Sequence, residues 1–306
     1  MVEKMRDKYP EVSLSEICRY LEITRQAYYK NRQATKKREI EECLIIKEVE
    51  KIRKEQPKLG TRKIYVKMED FFKEHKIKIG RDKLFEILRI NDMLIKKKRC
   101  NRVKTTMSHH WLKKYKNIIK GFEPQMPNEL WVSDITYLKI ENGFVYISLI
   151  TDAYSHKIVG YHVANTLESI ETIEALMMAI SDLKRSPESH YELIHHSDRG
   201  LQYCDHRYVK LLTDNNIKIS MTETGDPLDN AIAERTNGII KGEYLEYKKI
   251  NTIKEAKAYL SRAVYLYNNE RPHNSIGNLY PNDVHQNNIK VKKLWKNYKK
   301  HYIFAN

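Results

Sequence analysis

Hydrophobic positions along this chain change their period near residue 127. Before that point they recur every three to four residues, and after it they alternate. SLSEICRYLEITRQAYYK places Leu14, Ile17, Cys18 and Leu21 on one helical face, with Ser13 as N-cap. Glu22-Ile23 reads as a turn, and Thr24 caps a second helix that begins at Arg25-Gln26. This is a helix-turn-helix pattern, whose second helix would offer its first side chains to a DNA major groove, the alternative being an ordinary helical hairpin. KLGTRKIYVKMEDFFKEH predicts a further helix capped by Thr61, with Ile64, Met68, Phe71 and Phe72 inward. Another follows Gly80 with Leu84, Ile87 and Leu88. Arg25, Gln26, Arg62 and Lys63 are the expected DNA contacts of these two units.

From Pro127 the pattern is that of a sheet. LWVSDITYLKI, FVYISLITDAY and HKIVGYHVA are three strands rich in β-branched residues, the first two joined by a Glu141-Asn142-Gly143 hairpin turn. A helix over 166–185, the strand YELIHHSD, the helix HRYVKLLTDNN, the strand IKIS and the long helix DNAIAERTNGIIKGEYLEY complete a β-β-β-α-β-α-β-α order. That order is a mixed α/β layer. The expected organisation is multidomain: a helix-turn-helix region (1–50), a second helical DNA-binding unit (51–95), a basic linker (96–126), an α/β domain (127–247) and a helical, basic C-terminal extension (248–306).

Charge sharpens this division. The chain carries a formal net charge of +16. Residues 1–126 hold +16, residues 127–245 hold −8 and residues 246–306 hold +8. Basic flanks suit phosphate backbones, and an acidic middle suits a site that binds dications. No run approaches the roughly 18 apolar residues of a membrane span. The four cysteines (Cys18, Cys43, Cys100, Cys204) are scattered, so neither a zinc site nor a disulfide framework is expected. A reduced, cytoplasmic setting without membrane association fits that usage.

Three acids stand out by position. Asp134 lies mid-strand among Val132, Ile135 and Tyr137, where a carboxylate is costly unless paired or metal-bound. Asp198 closes the strand Leu193-Ile194-His195-His196-Ser197. Glu234 lies on the long helix, on one stripe with Asn230, Asn237 and Lys241. Oxygen ligands with open coordination positions select hard ions such as Mg²⁺ or Mn²⁺.

WVSDITYL, HSDRGLQY and DNAIAERTNGIIKGEYL together resemble the catalytic motifs of the retroviral-integrase-like DDE transposases. Thirty-five residues separate Asp198 from Glu234, and a basic residue, Lys241, follows the Glu by seven. YNNERPHNSIGNLYPNDV is similar to the C-terminal motif of second-reading-frame (OrfB-type) insertion-sequence transposases. The resemblance implies a ribonuclease-H-like catalytic domain, a mixed five-stranded sheet flanked by helices. In it Asp134, Asp198 and Glu234 are catalytic and ligate two Mg²⁺ ions, with Mn²⁺ able to substitute and no zinc. It implies cleavage and transfer of DNA strands, double-stranded DNA (element ends and target) as partner, and a homo-oligomer of at least two copies on DNA. A partner from an upstream reading frame also belongs to that pattern. Lys241 would contact DNA. Asn230, Arg199 and His196 are further expected contacts, each alternatively a positioning residue. Gly200, Gln202 and Tyr203 fall within the second motif. The alternatives are a metal-dependent nuclease on the same fold, which would cut without joining, and a non-catalytic DNA-binding regulator. A tyrosine recombinase is disfavoured by the strand-rich 130–163 segment. The Lys-rich tail from 285, with Trp295, Tyr298 and Tyr302, reads equally as a DNA-contacting arm or a docked helix.

Overall fold

The computed structural model describes residues 2–96, 110–141, 143–184, 192–223 and 230–291. Residues 97–109 of the expected basic linker, Asn142 of the hairpin turn, Asp229 and the tail beyond 291 lie outside the described residues. The N-terminal part is helical: α1 (Val2–Lys8), α2 (Leu14–Tyr20), α3 (Arg25–Glu55), α4 (Thr61–Lys67), α5 (Glu69–Glu74) and α6 (Arg81–Ile90). The chain forms two compact units, Met1–Glu55 with Met68–Leu94, and Gln56–Lys67 with Ile95–Asn306. The segment expected as one second helical unit is therefore shared between them, α4 belonging to the larger.

In the first unit, Ser13 and Glu16 form a reciprocal capping box: Ser13 Oγ accepts from the Glu16 amide at 3.3 Å, and the Ser13 amide donates to Glu16 Oε2 at 3.0 Å. Ile17 and Cys18 then pack with Val2 and Tyr28. Glu22 takes a left-handed φ of 53° in the turn, and Thr24 Oγ1 accepts the Ala27 amide at 3.1 Å to start α3. Arg25 and Gln26 are exposed in the first turn of α3. That helix runs 31 residues and buries only Tyr28, Ile45 and Val49, far longer than the sequence pattern implied. Leu84, Ile87 and Leu88 are buried on α6 as expected. Thr61 is not a cap. The Gly60 carbonyl accepts the Lys63 and Ile64 amides, which makes Thr61 the first helical residue, and it is buried.

The second unit is built on β1 (Leu130–Ile140), β2 (Gly143–Asp152), β3 (Ile158–Ala164), β4 (Ile194–Ser197) and β5 (Lys218–Met221), in the order β3-β2-β1-β4-β5. The first three strands are an antiparallel meander. β4 joins β1 in parallel and β5 joins β4 in parallel, the ribonuclease-H-like arrangement. Alternation along β2 divides the core: Val145, Ile147 and Leu149 pack with α10 (Ala231–Ile239), the π-helical turn Ile240–Leu245 and α11 (Ile253–Asn269). Ile150 turns to the other face, against α7 (Ser169–Lys184) and α9 (His206–Asp214), with the short α8 (Leu201–Cys204) beside them. Gly160 is required where α7 crosses β3, since a Cβ there would sit 2.2 Å from the Ala175 carbonyl oxygen. A 3-10 turn (Asn274–Ile276) and α12 (Pro281–Gln286) close the described chain.

Candidate active site

β1 and β4 lie side by side, with Val132 opposite His196 in register. Asp134 follows two residues on, and Asp198 is the first residue beyond β4. The parallel pairing of two strands therefore brings two carboxylates to one end of the sheet. Asp198 is fixed by its own turn: Oδ1 accepts the Gly200 amide at 2.9 Å as the chain enters α8. A Cβ on Gly200 would meet that Oδ1 at 3.0 Å, so the glycine keeps the carboxylate's seat open.

α10 crosses β1 and is tied to it by two asparagines. Asn230 Nδ2 donates to the Ser133 carbonyl at 2.9 Å, and Asn237 Nδ2 donates to Asp134 Oδ2 at 2.8 Å. Glu234 lies between these ties, exposed, on the same helical stripe. Asp134 Oδ1 accepts the Ile135 amide at 2.9 Å.

The charges in this corner repel. The Asp134 carboxyl is raised to about 7, first by burial and then by the Asp198 charge; Glu234 adds to the rise, and the Asn237 and Ile135 hydrogen bonds oppose it. Such a group titrates easily with a proton and would bind a cation in its place. Among the described residues, no three His, Cys, Asp or Glu groups already stand close enough to hold a metal ion. The donor set nonetheless fits a hard divalent ion: it is all oxygen, like-charged, and partly open to solvent.

The remaining expected residues divide. His196 is fully buried and shares a hydrogen bond with Ser220 Oγ at 2.8 Å, so it packs between strands and cannot touch DNA. Asn230 is buried with its amide committed to β1; it orients α10 and is no DNA contact. Tyr203 is buried against His195 and Tyr208, a packing role. Lys63 is half-buried, its Nζ standing 3.6 Å from Glu243 Oε1. Arg62 is exposed. Arg199 is half-buried and donates to the Glu223 carbonyl at 3.3 Å. Lys241 extends past the Tyr137 ring, 4.5 Å from its centroid, with Glu246 at 3.9 Å.

Two features escaped the sequence reading. Asn237, on the Glu234 stripe, holds the Asp134 carboxylate. Arg271, fully buried, donates through Nε and Nη2 to Glu243 at 2.7 and 2.8 Å. The stripe itself was the signal for Asn237. Arg271 lay within the quoted C-terminal motif, but its partner is 28 residues away.

The chain is similar in sequence to known proteins. Residues 124–227 match one model of the Integrase core domain family, and residues 215–281 match a second of the same description. The insertion element IS600 uncharacterized 31 kDa protein of Shigella sonnei is 32% identical over 270 residues, covering 87% of this chain and 96% of that one. The transposase for insertion sequence element IS629, also of Shigella sonnei, is 28% identical across 92% of this chain and 93% of its own. Among solved structures, the HTLV-2 integrase catalytic core domain in complex with magnesium is 21% identical, with a TM-score of 0.42, over 53% of this chain and 99% of its own. From the fold, the two matched models and the near full-length relatives together, the chain belongs to the insertion-sequence transposases of the retroviral-integrase-like superfamily.

Proposed function

We propose that this chain is a DDE transposase that cuts and joins DNA strands at Asp134, Asp198 and Glu234. One observation carries the reading. Asp134 is held by Asn237 under the charges of Asp198 and Glu234, an electrostatic arrangement that a proton or a bound cation relieves. Two Mg²⁺ ions, or Mn²⁺, bound there would supply Lewis-acid stabilisation of the attacking and leaving oxygens of an in-line phosphoryl displacement.

The chain's own residues do the rest. Asp134 and Asp198 present carboxylates from adjacent parallel strands, and Glu234 brings a third from the helix. Asn230 and Asn237 fix that helix against β1, so the third carboxylate cannot drift along the strand. Lys241, one face-turn further along, is suited to a DNA phosphate near the cut. Arg25 and Gln26, exposed at the start of α3, are suited to a major groove, and Arg62 to a phosphate. Arg199 serves the same strand as Asp198. Synapsis of two element ends requires at least two copies on DNA, and a protein from an upstream frame would extend end recognition. The described residues contain no helix long and apolar enough to cross a membrane, and the reading places the protein in the cytoplasm on DNA.

The test uses DNA carrying the ends of the encoding element, with Mg²⁺ or Mn²⁺ and any upstream-frame product. Nicked and joined products, abolished by chelator and free of covalent protein–DNA adduct, are expected. Cutting without joining would instead support a nuclease, and binding without cutting a regulator.

A further inference from the structure

Helix α10 presents a second face beside the one that carries Glu234. Arg235, about 100° round the helix from Glu234, lines a cavity of about 420 Å³ together with Lys63, His156, Tyr267, Arg271 and His273. The floor is buried, with Arg271 1% and His273 5% exposed, while Arg235 and Asn274 stand exposed at the rim.

Positive charge is in excess here. Lys63, Arg235 and Arg271 gather at the cavity, and Glu243 is the carboxylate that pairs with Arg271 and Lys63. The histidines do not offset this. Arg271 Nη1 donates to His273 Nε2 at 2.9 Å, so the His273 ring keeps its proton on Nδ1 and is neutral. His156 stacks on it, 6.0 Å between centroids and 13° between planes, and burial pushes its imidazole down to about 4. His156 is held there in a left-handed backbone conformation, φ 60°, uncommon outside glycine. Lys63 is itself lowered, first by burial and next by the Arg271 charge, while Glu243 opposes the shift. A concavity walled by guanidinium, ammonium and neutral imidazole groups, with surplus positive charge, is matched by a tetrahedral oxyanion.

We infer that this cavity is a phosphate subsite that takes one backbone phosphate of a DNA strand whose neighbouring phosphates reach Glu234. The choice of DNA as the phosphate's source rests on the proposed transposase activity; the phosphate chemistry does not. Arg271 and His273, engaged with Glu243 and with each other, form the charged floor of the site, and Arg235 at the exposed rim and Lys63 supply the contact with the phosphate.

The test is binding, kept apart from catalysis. Affinity for a 20-base-pair duplex is measured across a salt series for the full-length chain, Arg235→Gln, and Lys63→Met/Arg235→Gln. Thermal unfolding is followed with inorganic phosphate against chloride at equal ionic strength. Arg235 is exposed, so its substitution spares the fold. The expected results are a rise in melting temperature with phosphate and its loss in the double variant. The duplex should bind the double variant roughly tenfold more weakly at low salt, with a salt slope shallower by about 0.9, the value for one lost phosphate contact. Asp134→Asn should retain the full slope, and failed strand joining by the parent chain with an intact slope would count against the transposase reading alone. A phosphate effect with an unchanged duplex slope would assign the site to free phosphate and overturn the DNA assignment. No phosphate effect and no slope change would overturn the subsite altogether.

Discussion

Asp134 and Glu243 are both half-buried carboxylates beside one helical segment, and their surroundings drive them in opposite directions. Asp134 faces α10 and meets Asp198 and Glu234, so burial and like charge raise its carboxyl to about 7. Glu243, on the π-helical turn that continues α10, meets Arg271 and Lys63. Burial alone would raise it too, but the Arg271 hydrogen bonds and charge, with Lys63 behind them, bring it below the ordinary carboxylate range. The first carboxyl is crowded by like charge, as the proposed metal site requires. The second is a finished lock that joins α4, the π-helical turn and the chain after α11. The lesson is that burial of an acid says little until its neighbours' charges are known.

The most damaging way to break the comparison is at the lock. Arg271→Met leaves the half-buried Glu243 with Lys63 at 3.6 Å in place of its bidentate guanidinium partner, and is expected to destabilise the protein by roughly 3 kcal/mol, seen as a lower denaturation midpoint. Adding Glu243→Leu should recover much of that loss. Failure of the second substitution to recover any of it would mean the pair is not the source of the effect.

At the site the sign reverses. The folded Asp134 carboxyl is raised above its unfolded value near 4, so the metal-free protein loses stability as pH rises from about 4 to about 7, by up to ~4 kcal/mol. Asp134→Asn should therefore raise the melting temperature at pH 8 and leave it unchanged at pH 4. Mg²⁺ should narrow the gap at pH 8 by stabilising the parent chain. Glu243 runs the other way: its lowered carboxyl contributes stability above the unfolded value, lost as pH falls through the folded one. Urea midpoints across pH for the parent, Asp134→Asn and Arg271→Met separate the two trends.

A finer probe is Asn237→Ala, which removes a donor to Asp134 Oδ2. The carboxyl should rise further and divalent-ion affinity fall roughly tenfold, in keeping with about 1.5–3 kcal/mol for a hydrogen bond to a charged group. Calorimetric titration with Mg²⁺ measures it. The smallest effect is expected at Lys241→Met. It should weaken DNA binding by about 1 kcal/mol, lower the salt slope by about 0.9, and leave Mg²⁺ affinity unchanged.

Much of this was legible in the sequence because it depends on local periodicity. The three meander strands, the Ser13 cap and the acids of three separate motifs can all be read from short windows. The misreadings have one physical origin, partners distant along the chain. Nothing near His196 reveals that Ser220 of β5 will cover it, and nothing near Lys63 reveals Glu243. Thr61 has the side chain of a cap, yet the carbonyl of Gly60 already closes the first turn, and Thr61 is buried instead. The π-helical turn that aims Glu243 toward Arg271 reads as ordinary helix in sequence, since Ile239, Ile240 and Tyr244 fit an unbroken helical face.

The central claim is that Asp134, Asp198 and Glu234 act as one site. The direct measurement is strand joining of end DNA in Mg²⁺ by Asp134→Asn, Asp198→Asn and Glu234→Gln, alongside their affinity for the same duplex. Each variant is expected to lose joining by a factor on the order of 10³ or more while binding DNA at least as well as the parent. Joining at the parental rate by any one of the three would contradict the account.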